Sequence, residues 1–130
     1  MIQFKKDMIA IWIGTSDKSL QEWLKYSNGV EKSKGKTQIE KEIGYIDTDF
    51  FGYYATENNE IVPVADLVSE AGTNSLETDE NIVKQAVKLG VVEGNRLYYY
   101  CNYEFLTDNP TKQLYNDLIF IGNFEDPFSN

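Results

Sequence analysis

Apolar and polar positions along the chain fall into blocks whose period changes. Met8-Ile-Ala-Ile-Trp-Ile-Gly14 is short, β-branched and apolar on both alternating faces, which predicts a buried strand. Leu20, Trp23 and Leu24 then recur at helical spacing, with Ser16 placed as cap and Asn28-Gly29 as terminator. Val30 to Lys36 is rich in Lys, Gly and Ser and reads as an exposed loop. Thr37-Gln-Ile-Glu40 has the spacing of a capping box and opens a short helix carrying Ile39 and Ile43, closed by Gly44. The aromatic stretch from Asp47 to Ala55 predicts a second strand entered through a polar turn, and Pro63 starts a brief helical segment through Val68. Thr78 is placed to cap the clearest helix, with Ile82, Val83, Ala86 and Leu89 on one face and Gly90 after it. Strict alternation from Arg96 to Phe105 puts Leu97, Tyr99, Cys101, Tyr103 and Phe105 on one side of a strand and Tyr98 and Tyr100 on the other. Asp108-Asn-Pro-Thr111 reads as a turn, Leu118 to Phe124 as the last strand, and the chain from about 125 as a loose tail.

The order β-α-α-β-α-β-β predicts a single α+β domain over residues 1–130. Its largely antiparallel four-stranded sheet carries helices packed on one face. Trp12, Leu24, Ile43, Val83, Leu97, Cys101 and Phe120 are the expected core. Lys5, Lys6 and the following seven-residue apolar run are too short for a signal peptide, and no stretch reaches a membrane span, so a cytoplasmic protein is expected.

Composition removes whole classes of function. There is no His, which excludes the commonest general base, the Ser-His triad and His metal sites. One Cys excludes an internal disulfide. The net charge of −9 disfavours nucleic-acid and anionic-membrane partners. That charge is uneven: residues 1–46 hold eight Lys and six acids, and residues 47–130 hold four basic residues and fifteen acids. Such a half is either a solvated surface or a face that docks on a basic cleft.

Asp47-Thr-Asp49 has the first residues of a Ca²⁺ loop, but the twelfth position is Asn58 rather than Glu, so no metal is expected. The two carboxylates could serve a small acidic hydrolase or a metal- or ligand-binding domain; as turn formers they need no such role. Nine Tyr include Tyr53, Tyr54, Tyr98, Tyr99, Tyr100 and Tyr103 on two predicted strands, and alternation exposes half of them as packing or recognition surface. Cys101 reads as structural.

The strand ending Trp12-Ile-Gly-Thr15, the helix with Leu20 and Trp23, and Ile39-Glu-Lys-Glu-Ile43-Gly44 leading into Asp47-Thr-Asp49-Phe50 resemble the immunity protein 22 family of bacterial polymorphic toxin systems. The helix ending Lys88-Leu89-Gly90 and the strand from Asn95 to Phe105 extend the likeness over residues 8–105. The resemblance implies a small cytoplasmic α+β protein that binds and neutralises a cognate toxin. Trp12 and Asp49 are the family-matched positions. A nuclease toxin with a basic cleft suits an acidic inhibitor without catalytic machinery or cofactor. The expected partner surface is Asp47, Asp49, Tyr54, Glu57 and Glu60, with the Tyr98/Tyr100 face as the fallback.

Overall fold

The computed structural model describes residues 1–30, 37–108 and 113–128. The loop expected from Val30 and the turn expected after Asp108 fall largely outside these. Among the described residues, six strands and four helices are arranged in the order β1 (Ile2–Gly14), α1 (Leu20–Leu24), α2 (Gln38–Glu42), β2 (Phe51–Ala55), β3 (Val62–Pro63), α3 (Val64–Val68), α4 (Leu76–Lys88), β4 (Glu93–Gly94), β5 (Arg96–Phe105) and β6 (Leu118–Glu125). Single 3-10 turns, Glu57–Asn59 and Ser69–Ala71, join β2 to β3 and α3 to α4. The class is α+β, as the pattern predicts. The main sheet runs β2-β5-β1-β6 with every neighbouring pair antiparallel, and β3 and β4 form a separate two-stranded ribbon. β5 and β6 therefore flank β1 rather than pairing with each other.

The helices lie on both faces of the sheet, not on one. The central strand β1 shows why. Ile9, Ile11 and Ile13 pack with Leu67, Val68, Ile82 and Ala86 of α3 and α4, whereas Ala10 and Trp12 pack with Trp23 of α1 and Ile39 of α2. A strand apolar on both alternating faces demands a cover on each side. Of the expected core, Trp12, Ile43, Leu97 and Phe120 are buried; Leu24, Val83 and Cys101 are half-buried and packed against it.

Caps sit one turn away from two expected positions. Ser19, not Ser16, accepts the N–H of Glu22 at the start of α1, and Ser75, not Thr78, accepts the Thr78 N–H at the start of α4. The two displaced residues are buried and tie the layers together. Ser16 Oγ donates to Asp117 Oδ2 at 2.7 Å, and Thr78 Oγ1 donates to the Glu125 carbonyl at 3.1 Å. The capping box of Thr37 and Glu40 forms as expected. The tail is anchored at least through Asp126, which is buried and accepts the Asn74 N–H at 2.9 Å.

β5 does not keep strict alternation. Asn102 takes a positive φ of 61°, opposite Asp7 at 65°, where the β1–β5 register shifts between Phe4 and Ile9. Asn102 Oδ1 accepts the Asp7 N–H at 3.0 Å. The extra residues of this bulge lie on β1, and the positive φ of Asn102 resets the side-chain phase of β5. Tyr98, Tyr100, Tyr103 and Phe105 consequently share the Trp12 side, while Leu97, Tyr99 and Cys101 face α3 and α4. Beyond the bulge, Phe105 stands edge-on to Phe120 at 5.1 Å, and the Asn123 side-chain amide bonds both the N–H and the C=O of Phe105 in place of a neighbouring strand.

Candidate functional site

Asp47 builds the turn into β2. Its carbonyl accepts the N–H groups of Phe50 and Phe51 at 3.0 Å each, its Oδ1 accepts the Asp49 N–H at 3.0 Å, and its own N–H donates to Tyr100 Oη at 2.7 Å. That carboxylate is thereby committed to an Asx turn. Asp49 is exposed, and its side chain enters none of the ion pairs among the described residues. Trp12, the other position on which the expected resemblance rests, is fully buried between Phe105 and Phe120, so it is a core residue rather than a contact.

Tyr54, Glu57 and Glu60 lie at the far end of β2. The ring of Tyr54 is half-buried against the α3–α4 layer. With Leu20, Thr56, Glu57, Asn58 and Asn59 it lines an open concavity of about 730 Å³. Glu57 and Glu60 are exposed and enter none of the ion pairs among the described residues. The five expected contact residues thus do not form one compact patch. Asp47 and Asp49 precede the strand and Glu57 and Glu60 follow it, with five residues at roughly 3.3 Å each between the two pairs.

A polar knot holds the Glu57 end in place. Asn58 and Asn59 both take positive φ, 52° and 57°, which Asn tolerates better than most residues. Asn59 Oδ1 accepts a bond from Arg96 Nη2 at 2.7 Å, and the same nitrogen donates to the Lys18 carbonyl at 3.0 Å. Arg96 Nη1 donates to the Asn95 carbonyl at 3.2 Å, and the guanidinium lies 5.3 Å from the centre of the Trp23 ring. Asn95 in turn exchanges two hydrogen bonds with the main chain of Ser16 at 2.9 and 2.8 Å. Arg96 is fully buried, and no described carboxylate pairs with it; burial pushes its pKa down. Carbonyl dipoles and the Trp23 face replace a counter-ion. The sequence offers no periodic signal for this knot, because its members join residues 37 and 78 positions apart.

The Tyr98/Tyr100 face is not a surface. Both rings are buried under α1 and α2, with Trp23 stacked on Tyr98 at 4.7 Å. Burial raises the pKa of Tyr98 and Tyr100, and likewise that of the Cys101 thiol, which makes the thiol a poor nucleophile. Among the described residues, no group of three or more Cys, Asp or Glu side chains converges as a metal site, and no helix is long and apolar enough to cross a membrane.

Charge divides between the two helical layers. Residues 56–95, which carry α3 and α4, hold eight acids against Lys84 and Lys88, a net of −6. On the opposite face, the described residues between β1 and β2 through Ile46 hold four acids and three lysines. Ile61 and Val92 stand exposed on or beside the β3–β4 ribbon within the acidic layer, where Val64 donates its N–H to the Val92 carbonyl at 3.0 Å. No protein-family model, curated protein or solved structure matches the chain.

Proposed function

We propose that the chain is an immunity protein, which binds a cognate toxin domain with a basic cleft, a nuclease by preference, and neutralises it without catalysis of its own. Its place of action is the cytoplasm. The supporting observation is the one-sided charge: a net of −6 in the layer formed by residues 56–95, with Glu57 and Glu60 outside every ion pair among the described residues. Such a field accelerates encounter with a basic partner and discriminates against acidic ones. The likeness to the immunity protein 22 family rests on the residues quoted for it. A hydrolase centred on Asp47 and Asp49 has less support, because Asp47 Oδ1 already accepts the Asp49 N–H.

Co-expression with the toxin domain encoded beside this gene tests the proposal. Cells making the toxin domain survive when the chain is present and die without it. Absence of rescue, together with separate elution of the two proteins on size exclusion, contradicts it.

A further inference from the structure

Among the described residues, β2 forms one edge of the main sheet and pairs only with β5. At its two ends the Phe50 carbonyl accepts the Cys101 N–H at 2.9 Å, and the Thr56 N–H donates to the Asn95 carbonyl at 3.1 Å. Hydrogen-bonded and non-bonded pairs alternate along an antiparallel ladder. Residues 50, 52, 54 and 56 therefore turn their main chain toward β5, and residues 51, 53 and 55 turn theirs outward. The Asp47 carbonyl takes up the Phe51 N–H. The carbonyl of Phe51, and the N–H and C=O of Tyr53 and Ala55, have no partner among the described residues.

Natural edges are blunted by charge, proline or a bulge. Phe51-Gly-Tyr-Tyr-Ala55 has neither charge nor proline and pairs without a register shift. Tyr99 lies across Gly52 so closely that a Cβ there would collide with its ring. The opposite edge is defended: β6 carries a register shift, and Lys84 and Lys88 of α4 stand beside residues 121–124.

We propose that β2 is the docking strand: an extended segment of the toxin adds to it as a fifth strand, and that segment is basic at both ends. Charge selects this occupant. Asp47 and Asp49 precede the strand, Glu57 and Glu60 follow it, and none of the four enters an ion pair among the described residues. A second copy of this chain pairing antiparallel about Tyr53 would set Asp49 opposite Glu57 twice, and like charges directly opposite destabilise a strand pair. Lys or Arg at the same places would meet four carboxylates that enter no ion pair among the described residues. Tyr53, 44% exposed and edge-on to Trp23 at 5.7 Å, stands ready as a cross-strand contact. In such additions main-chain bonds supply affinity, and the flanking groups choose the partner. The mode of docking rests on the immunity reading, so the two need separate outcomes.

Hydrogen exchange on the wild-type chain distinguishes them. In the free protein the amides of Tyr53 and Ala55 exchange fast, while those of Gly52 and Tyr54 are slowed by β5. Binding the toxin domain encoded beside this gene slows Tyr53 and Ala55 by about tenfold or more, and Tyr53→Pro, which removes an outward N–H and leaves the β5 ladder intact, weakens binding about tenfold or more. Tyr53→Thr, which keeps that N–H, loses much less. A complex that leaves exchange at Tyr53 and Ala55 unchanged overturns the edge mode and leaves the immunity reading standing. Failure of the toxin domain to bind overturns the immunity reading. In that event the peptide acetyl-Lys-Arg-Val-Thr-Val-Lys-Arg-amide decides the edge. Amide shifts at Tyr53 and Ala55 that a Glu-flanked peptide does not produce support it; no shift at millimolar peptide, or a concentration-dependent homodimer protecting the same amides, overturns it.

Discussion

Arg96 is a fully buried cation that bonds Asn59 Oδ1 and the carbonyls of Lys18 and Asn95, over the face of Trp23. Removing it leaves Asn59 Oδ1 without its donor and takes one donor each from the Lys18 and Asn95 carbonyls, which keep the Asn59 side-chain amide and the Thr56 N–H. Arg96→Met therefore costs on the order of 2–4 kcal/mol, and Arg96→Lys costs less, since its ammonium still donates to part of the same acceptor set. Urea denaturation measures both, and a loss below about 1 kcal/mol for Arg96→Met would show that the knot contributes little. The residue itself was conspicuous in the sequence as the only Arg, yet its role was not legible there. Apart from the neighbouring Asn95, its partners come from two distant segments, around Lys18 and Trp23 and at Asn59, and hydrophobic periodicity carries no record of long-range polar contacts. Ser16 and Thr78 illustrate the same limit. Each is a fair cap by type and spacing, and each was drawn instead into a buried contact with β6 or the turn before it, leaving Ser19 and Ser75 to cap.

Among elements, β5 shows where pattern reading succeeds and where it stops. Its existence and span follow from alternation, and both match. Its faces do not, because one Asn with positive φ shifts the phase, and Asn in mid-strand gives no certain sign of that. The shift brings Tyr103 and Phe105 onto the side of Tyr98 and Tyr100, and the cover of α1 and α2 makes that side a buried tyrosine layer rather than a recognition surface. Tyr26, Tyr98 and Tyr100 all lie in it with pKa values raised chiefly by burial, and Tyr26 also donates to Glu42 at 2.7 Å. A phenol with a raised folded-state pKa keeps its stabilising contribution below the unfolded value, near 10, and loses it as pH climbs from there toward the folded value. Unfolding free energy thus falls as pH climbs above about 10. Ring-carbon NMR of labelled tyrosine should show these three phenols neutral until near-ultraviolet circular dichroism is lost. Their ionisation with that signal intact would contradict the packing described for the layer.

Across the whole molecule, the acidic excess was countable from the sequence, but its layout was not. The chain order does not tell which face of a sheet a segment covers; β1, apolar on both sides, required two covers, and the −6 segment supplies one of them. The same layout separates Asp47 and Asp49 from Glu57 and Glu60 along an edge strand, which turns an expected patch into a charged frame around open main chain. The central claim is that this acidic surface recruits a basic protein. Stopped-flow association with a toxin domain that the proposed function would pair with this chain, across a salt series, tests it most directly. For the wild-type chain the rate falls on the order of tenfold as the screening length shrinks from about 30 Å to about 8 Å. Glu57→Lys/Glu60→Lys, with unchanged melting, associates more slowly at low salt and shows a shallower salt dependence. A rate indifferent to salt, with the double variant binding as fast and as tightly as the wild type, would contradict the account.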